Sequence, residues 1–210
     1  MAELFDFTQE SPDFLYSKKC RAEDKTKSKI NVYTQNKTFV CVQTPKMIVK
    51  KINSSGIELQ FIKDSQHCTS FYDFISNFDQ KNIEKIAEQS ENWFGFSCDT
   101  EHCEEKYRPS IKSAKTKESE PSIKLNIETL GSEPNVKIYD NYKELEFKDI
   151  KIGKEIICAI YCSGIIVKKH KIYTEWKIKE VKCINKRTVF QDYSIRDVCH
   201  SDCESEEEFV

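Results

Sequence analysis

Glycine is scarce in this chain: five residues in 210, beside five prolines, two methionines and two tryptophans. That scarcity excludes collagen-like and glycine-linker architectures and leaves no glycine-rich loop to cradle a phosphate. The nucleotide-binding patterns GxGxxG and GxxxxGK[ST] and the zinc-hydrolase pattern HExxH do not occur. Long apolar runs are missing too. No stretch reaches the roughly 18–20 residues of a membrane-spanning helix, and the opening Met1-Ala2-Glu3-Leu4-Phe5-Asp6 carries neither a basic n-region nor a signal core. A soluble, intracellular, non-secreted protein is expected, so the ten cysteines read as reduced thiols rather than as a disulfide scaffold. Net charge is almost absent as well: 33 basic residues against 35 acidic give −2, a total that on its face argues against a polyanionic ligand.

What the chain does have is aromatic and β-branched residues. With 13 Phe and 9 Tyr it is too aromatic to be disordered throughout. Short β-like pieces separated by turn residues run over Ile30–Thr34, Thr38–Gln43, Met47–Lys51 and Ile57–Ile62. The period then changes to that of a helix. Phe71, Phe74, Ile75 and Phe78 share one face, Ser70 and Asp73 suggest a capping box, and a second run from Asp79 carries Ile83, Ile86 and Ala87 up to a stop at Gly95. Residues 98–120 read as a flexible loop. Strands resume at Ser122–Glu128 and Val136–Tyr139. Ile156–Val167 is almost continuously apolar, as in a strand buried on both faces. After the basic turn Lys168–Lys171, residues Ile172, Thr174, Trp176 and Ile178 alternate inward before the apolar phase slips to Val181 and Cys183, which predicts a β-bulge.

The expected fold is mainly β, an OB-like barrel with a helical insertion at about residues 70–95, with a jelly roll as the alternative. The expected organisation is a partly ordered N-terminal segment 1–29, a β domain 30–198 and a disordered acidic C-terminal tail 199–210.

Counting charge by segment changes the picture drawn by the total. Lys18–Lys51 holds ten basic and two acidic residues, and Lys168–Arg187 holds eight and two. Asp64–Arg108 holds ten acidic and four basic, and Ser201–Val210 holds five acidic and none basic. Without that tail the body is +3. Lysines on exposed strands often only solubilise an edge. Here they are interleaved with aromatics, the recipe for sequence-tolerant binding of single strands, in which cations follow phosphates and rings stack on bases. Trp176 shares a face with Ile172 and Ile178 and is expected in the core. The ending Glu206-Glu207-Glu208-Phe209-Val210 reads either as a solubilising end or as an acidic anchor for a basic groove or partner.

Several short motifs resemble those of a known family: Gln43-Thr44-Pro45-Lys46-Met47, Phe71-Tyr72-Asp73-Phe74, Glu91-Asn92-Trp93-Phe94-Gly95, Tyr107-Arg108-Pro109-Ser110-Ile111-Lys112, and Cys162-Ser163-Gly164-Ile165 leading to Trp176-Lys177. The family is that of single-stranded DNA-binding proteins of large eukaryotic DNA viruses, itself similar to the OB-fold single-stranded DNA-binding protein of podophage replication. The likeness spans roughly residues 40–184. It implies a non-enzymatic accessory of viral DNA replication and recombination, without cofactor, working at the replication site of the host cell in a cytoplasmic factory or the nucleus. Its partners would be single-stranded DNA and, through the tail, DNA polymerase or primase–helicase, with a homodimer allowed and no membrane. The chain departs from the pattern at Ile165-Ile166-Val167, where an aromatic is expected, and at Val210, which leaves Phe209 penultimate.

The nucleic-acid-binding candidates are therefore Lys46, Tyr107, Arg108, Lys112, Lys115, Lys124, Lys168, Lys169, Tyr173, Lys177 and Lys179. The tail candidates are Glu204, Glu206, Glu207, Glu208 and Phe209. Cys98, His102 and Cys103 with Cys199, His200 and Cys203 could ligate zinc if their segments met, but CxxxHC and CHxxC are not the paired CxxC of a zinc ribbon, and no metal is expected. Cys158 and Cys162 share a strand face and read as core. The four histidines flank no distinctive nucleophile, so an enzyme is not expected. The competing reading is a non-enzymatic virion structural or interaction protein on a barrel or jelly roll.

Overall fold

The computed structural model describes residues 4–8, 12–22, 26–114, 119–131, 133–140, 143–169 and 171–184. Its centre is a ring of strands β1 (Met47–Asn53), β2 (Gly56–Gln60), β3 (Ser122–Ile127), β4 (Glu155–Lys168) and β5 (Lys171–Cys183). β1 pairs antiparallel with β2, and β2 with β3. β3 lies parallel to β5, β5 pairs antiparallel with β4, and β4 returns antiparallel to β1. The closed order β1-β2-β3-β5-β4-β1 is the Greek key of an OB barrel, as expected from the sequence, and not the two packed sheets of a jelly roll.

Alternation decides which side chains fill the barrel. In β2, Ile57 and Leu59 are fully buried while Glu58 and Gln60 are only half-buried on the outer face. In β3, Ile123, Leu125 and Ile127 point in and Lys124 points out. β4 is buried on both faces because its second face has a small cluster of its own, in which Ile157 and Ala159 pack with Tyr139. The predicted bulge is present: Ala159 faces Glu180 but Ile160 faces Ile178, leaving Lys179 as the extra residue. A second register shift lies between Cys162 and Gly164. Gly164 has φ of 146°, and a Cβ there would press on the Ile30 carbonyl oxygen, so the close approach of the Ser28–Ile30 strand, which pairs antiparallel with β4, requires glycine. Cys158, Cys162 and Trp176 are all in the core.

Three helices occupy the β2–β3 connection: α1 (Gln66–Glu88), α2 (Ser90–Phe94) and α3 (Thr100–Lys106). α1 differs from the sequence expectation in being one unbroken helix. Its N-cap is Ser65, whose Oγ accepts from the Cys68 N–H at 3.3 Å, so Ser70 and Asp79 are interior rather than starts. The two apolar runs read from the sequence lie on one continuous stripe, Phe71 through Ile86, and burying it favours an uninterrupted helix over a costly second nucleation. α2 ends at Gly95 in the left-handed region, as expected. α3 and the short strand Ile111–Lys112 are corrections to the loop expected at 98–120. Asp99 caps α3 by accepting from the His102 N–H at 2.8 Å, and Cys103 and Tyr107 anchor its inner face.

The N-terminal aromatics pack on α1. Phe5 stacks on Phe74 at 5.5 Å, Phe7 meets Phe71 edge-on at 5.4 Å, and Phe14 meets Phe78 at 4.8 Å. Phe78 in turn touches Trp176 of β5 at 5.1 Å, so helix, N-terminal segment and barrel share one core. Each such ring, once buried, contributes about 1.5–3 kcal/mol.

Candidate nucleic-acid interface

A cleft of about 510 Å³ opens on the outer face of β2 and β3, between the β1–β2 turn and the β4–β5 hairpin. Outward positions of the strands form its floor: Glu58 of β2, Lys124 and Asn126 of β3, Tyr173 and Glu175 of β5. Lys51 and Asn53 stand on one rim, Lys168 and Lys171 on the other, and Arg108 to Lys112 close a third side. This surface of an OB barrel is the one that takes oligonucleotides and oligosaccharides in general.

Arg108 reaches the cleft because its loop is tied down from below. The Tyr107 hydroxyl donates to Asp79 Oδ1 at 2.8 Å, and Asp79 also accepts from the Ser110 N–H at 2.7 Å and the Ser110 hydroxyl at 2.9 Å. A directed chain leads to this carboxylate. Tyr16 donates to Asn82 at 2.9 Å, the Asn82 amide donates to Thr174 at 3.0 Å, and the Thr174 hydroxyl donates to the Tyr107 oxygen. Burial pushes the Asp79 carboxyl above its ordinary value, with the bonds from Ser110 and Tyr107 acting against that rise. The backbone N–H of Arg108 donates to the Ile172 carbonyl at 2.7 Å, which fixes the loop to the root of β5.

Six cations line the cleft against two carboxylates, and both carboxylates are already engaged. Glu58 accepts from Lys112 Nζ at 2.7 Å and from the Ser122 hydroxyl at 3.0 Å. Burial raises the Glu58 carboxyl, but those two bonds, with the charges of Lys112 and Lys51, outweigh it and hold the group below its ordinary value. Glu175 accepts from Asn126 Nδ2 at 3.2 Å. Among the described residues no carboxylate forms an ion pair with Lys51, Arg108, Lys124, Lys168 or Lys171. The result is a basic hollow with one half-buried aromatic, Tyr173, whose ring lies 5.9 Å below the Lys168 ammonium. Five cations that form no ion pair among the described residues, around a shaped floor, can hold consecutive phosphates.

Residues 48–197 match the model of a family described as a family of unknown function, DUF5871. The chain belongs to that family. The match takes in nearly all of β1 and the whole of the other four barrel strands, so the cleft is built on family positions. Comparison with curated proteins gives no match. Among solved structures, the chain is similar to the single-stranded DNA-binding protein of bacteriophage Enc34 in complex with single-stranded DNA, at 12% identity and a TM-score of 0.47, over 86% of this chain and 100% of that one. It is also similar to gp2.5, a single-stranded DNA-binding protein encoded by bacteriophage T7, at 9% identity and a TM-score of 0.49, over 82% of this chain and 99% of that one. The strand order, not these distant likenesses, carries the fold.

Of the sequence candidates, Arg108, Lys112, Lys124, Lys168 and Tyr173 come together in the DUF5871 cleft. Lys169 is exposed at the hairpin tip and faces a second hollow. Tyr107 is a correction: its ring is 6% exposed and its hydroxyl is spent inside, so it offers no stacking face and instead positions Arg108. Three further lysines fall outside both hollows. Lys46 lies at the far end of β1, paired with Glu155 at 3.4 Å. Lys177 is held by Glu128 at 3.0 Å, the same carboxylate that accepts from Tyr161 at 2.6 Å. Lys179 is the exposed bulge residue. Lys115 and the tail residues Glu204, Glu206, Glu207, Glu208 and Phe209 lie outside the described residues. Cys98 and Cys103 touch at 3.4 Å, where burial and then that contact push the Cys103 thiol up to about 12. Cys199, His200 and Cys203 of the candidate zinc set lie outside the described residues.

The sequence candidates omitted Lys51, Lys171 and Asn126, and also Asp79 and Thr174 beneath the cleft. Lys51 and Lys171 each adjoin a tight turn between two strands, a position that an OB reading could have singled out. Asp79 and Asn82 sit on the apolar stripe of α1, where polar residues signal a buried network.

Proposed function

We propose that the protein binds single-stranded DNA without sequence specificity, in the cleft between the β1–β2 turn and the β4–β5 hairpin, as a non-enzymatic accessory of viral DNA replication or recombination. The observation that carries this reading is the excess of six cations over two carboxylates in the cleft, five of the cations in no ion pair among the described residues, over a floor that includes the Tyr173 ring. Phosphates would lie along Lys51, Arg108, Lys124, Lys168 and Lys171, and a base would stack on Tyr173. Cations that follow phosphates and a ring that stacks on any base bind without reading base edges, which fits sequence tolerance. The acidic segment Ser201–Val210 would occupy the same basic surface in competition with DNA, and would offer its carboxylates and Phe209 to a replication partner such as polymerase or primase–helicase.

The test is fluorescence anisotropy with labelled oligothymidine on the full chain and on a chain lacking residues 201–210. The reading expects binding by both, tighter in the shortened chain at low salt. Binding by neither would overturn it. Equal affinity would remove the tail from the account.

A further inference from the structure

The second hollow, about 490 Å³, lies on the other face of the same hairpin. Neighbouring residues of β5 show the geometry: Tyr173 lines the first cleft and Ile172 the second, as alternation in a strand requires. Lys168 and Lys171 line both, so the hairpin tip is a common wall. Around the second hollow stand Lys19, Arg21, Lys106 and Lys169, all exposed, and no described carboxylate lines it. Its aromatic part is Phe94 and Phe96, whose ring centroids are 6.0 Å apart. Phe96 is 55% exposed, and the Lys19 ammonium lies 5.0 Å from the Phe94 ring.

A single exposed phenylalanine is ordinary on a protein surface. An exposed ring backed by a second ring and surrounded by cations, with no carboxylate among the described lining residues, repeats the chemistry of the first cleft: charge for phosphates, a π-face for a base. Basic walls shared between the two hollows let a strand pass from one to the other without crossing acidic surface. An acidic peptide would match the charge, but would not explain the continuity with the first cleft through Lys168 and Lys171.

Resting on the single-strand reading above, we infer that the second hollow is a further subsite for the same strand, which wraps the β4–β5 hairpin and stacks a base on Phe96. The full site is then longer than one cleft, within the roughly 4–16 nucleotides that OB barrels occupy.

The experiment measures affinity of the full chain for a short oligothymidine of about five nucleotides and a long one of about twenty. Wild type is compared with Phe96→Ser/Arg21→Ala/Lys106→Ala, three exposed positions that leave the core intact. The expected result is unchanged affinity for the short oligonucleotide and a loss of at least about tenfold for the long one, with Phe96→Trp retaining tight binding. Unchanged affinity of the triple variant for both lengths, against a wild type that binds both, overturns the subsite alone. Loss of binding to a synthetic peptide of residues 201–210 with the long oligonucleotide unaffected overturns it in favour of a peptide dock. A wild type that binds neither oligonucleotide overturns the single-strand reading and the subsite with it.

Discussion

The Tyr107 hydroxyl donates to Asp79 Oδ1 at 2.8 Å, joining the segment after α3 to the middle of α1. That bond lies under the cleft rather than in it, and it turns an apparent ligand-stacking tyrosine into part of the frame. Replacing it by Tyr107→Phe leaves Asp79 without the Tyr107 donor and removes one of the Thr174 hydroxyl's partners, while Asn82 still donates to Thr174. The expected cost is about 1–3 kcal/mol of stability in denaturant titration. Oligonucleotide affinity of the folded variant should stay within about twofold of wild type, because the Ser110 bonds to Asp79 still hold the loop.

The buried Asp79 carboxyl also sets a pH dependence. Its value in the folded protein is raised, chiefly by burial, so over the interval from the ordinary aspartate value up to the raised one the folded state keeps a proton that the unfolded state has released. Stability contributed by this group therefore falls as pH rises through that interval and is level above it. The stability difference between wild type and Asp79→Asn should shift in the variant's favour across that interval and then stay constant. Urea midpoints measured from acid to neutral pH check the sign, and a shift in the wild type's favour would contradict it.

Tyr173 is the half-buried ring on the cleft floor, where the proposed function stacks a base. Tyr173→Ala should weaken oligothymidine binding by about 1–3 kcal/mol, the worth of one stacked base, with little effect on thermal stability because the side chain is only half-buried. Tyr173→Phe should retain most of the affinity. Equal losses in the two variants would assign the effect to the hydroxyl instead.

Two glycines with positive φ should respond differently to substitution. Gly164, where a Cβ would meet the Ile30 carbonyl, should lose on the order of 1–3 kcal/mol or more as Gly164→Ala. Gly131, with nothing within 4 Å, should lose only the backbone cost, about 1 kcal/mol, as Gly131→Ala. Thermal melts of the two variants decide it.

Much of the barrel was legible because its signals are local. The alternation in Ile57–Phe61, the unbroken apolar run of β4 and the phase slip after Ile178 each follow from where one strand's side chains must go. The length of α1 was not legible, since polar residues such as Asp79 looked like a boundary until their buried partners were known. Those partners, Tyr107 and Ser110, lie 28 and 31 positions away, and nothing local announces them. The same limit applies to the candidate site. Composition marked the lysines of the hairpin tip, but it could not separate Lys124, which faces the cleft, from Lys46, Lys177 and Lys179, which pair or point elsewhere. Pairing and strand order make that separation.

The measurement that tests the central claim most directly is the salt dependence of oligothymidine affinity for wild type, Arg108→Ala/Lys124→Ala and Lys46→Ala/Lys179→Ala. For single strands each neutralised phosphate contributes about 0.7 to the log–log slope. With five cleft cations the account predicts a wild-type slope of about −3.5, reduced by about 1.4 in the cleft variant and unchanged in the control variant. A slope near zero, or the same reduction in both variants, would contradict a phosphate-binding cleft between the β1–β2 turn and the β4–β5 hairpin.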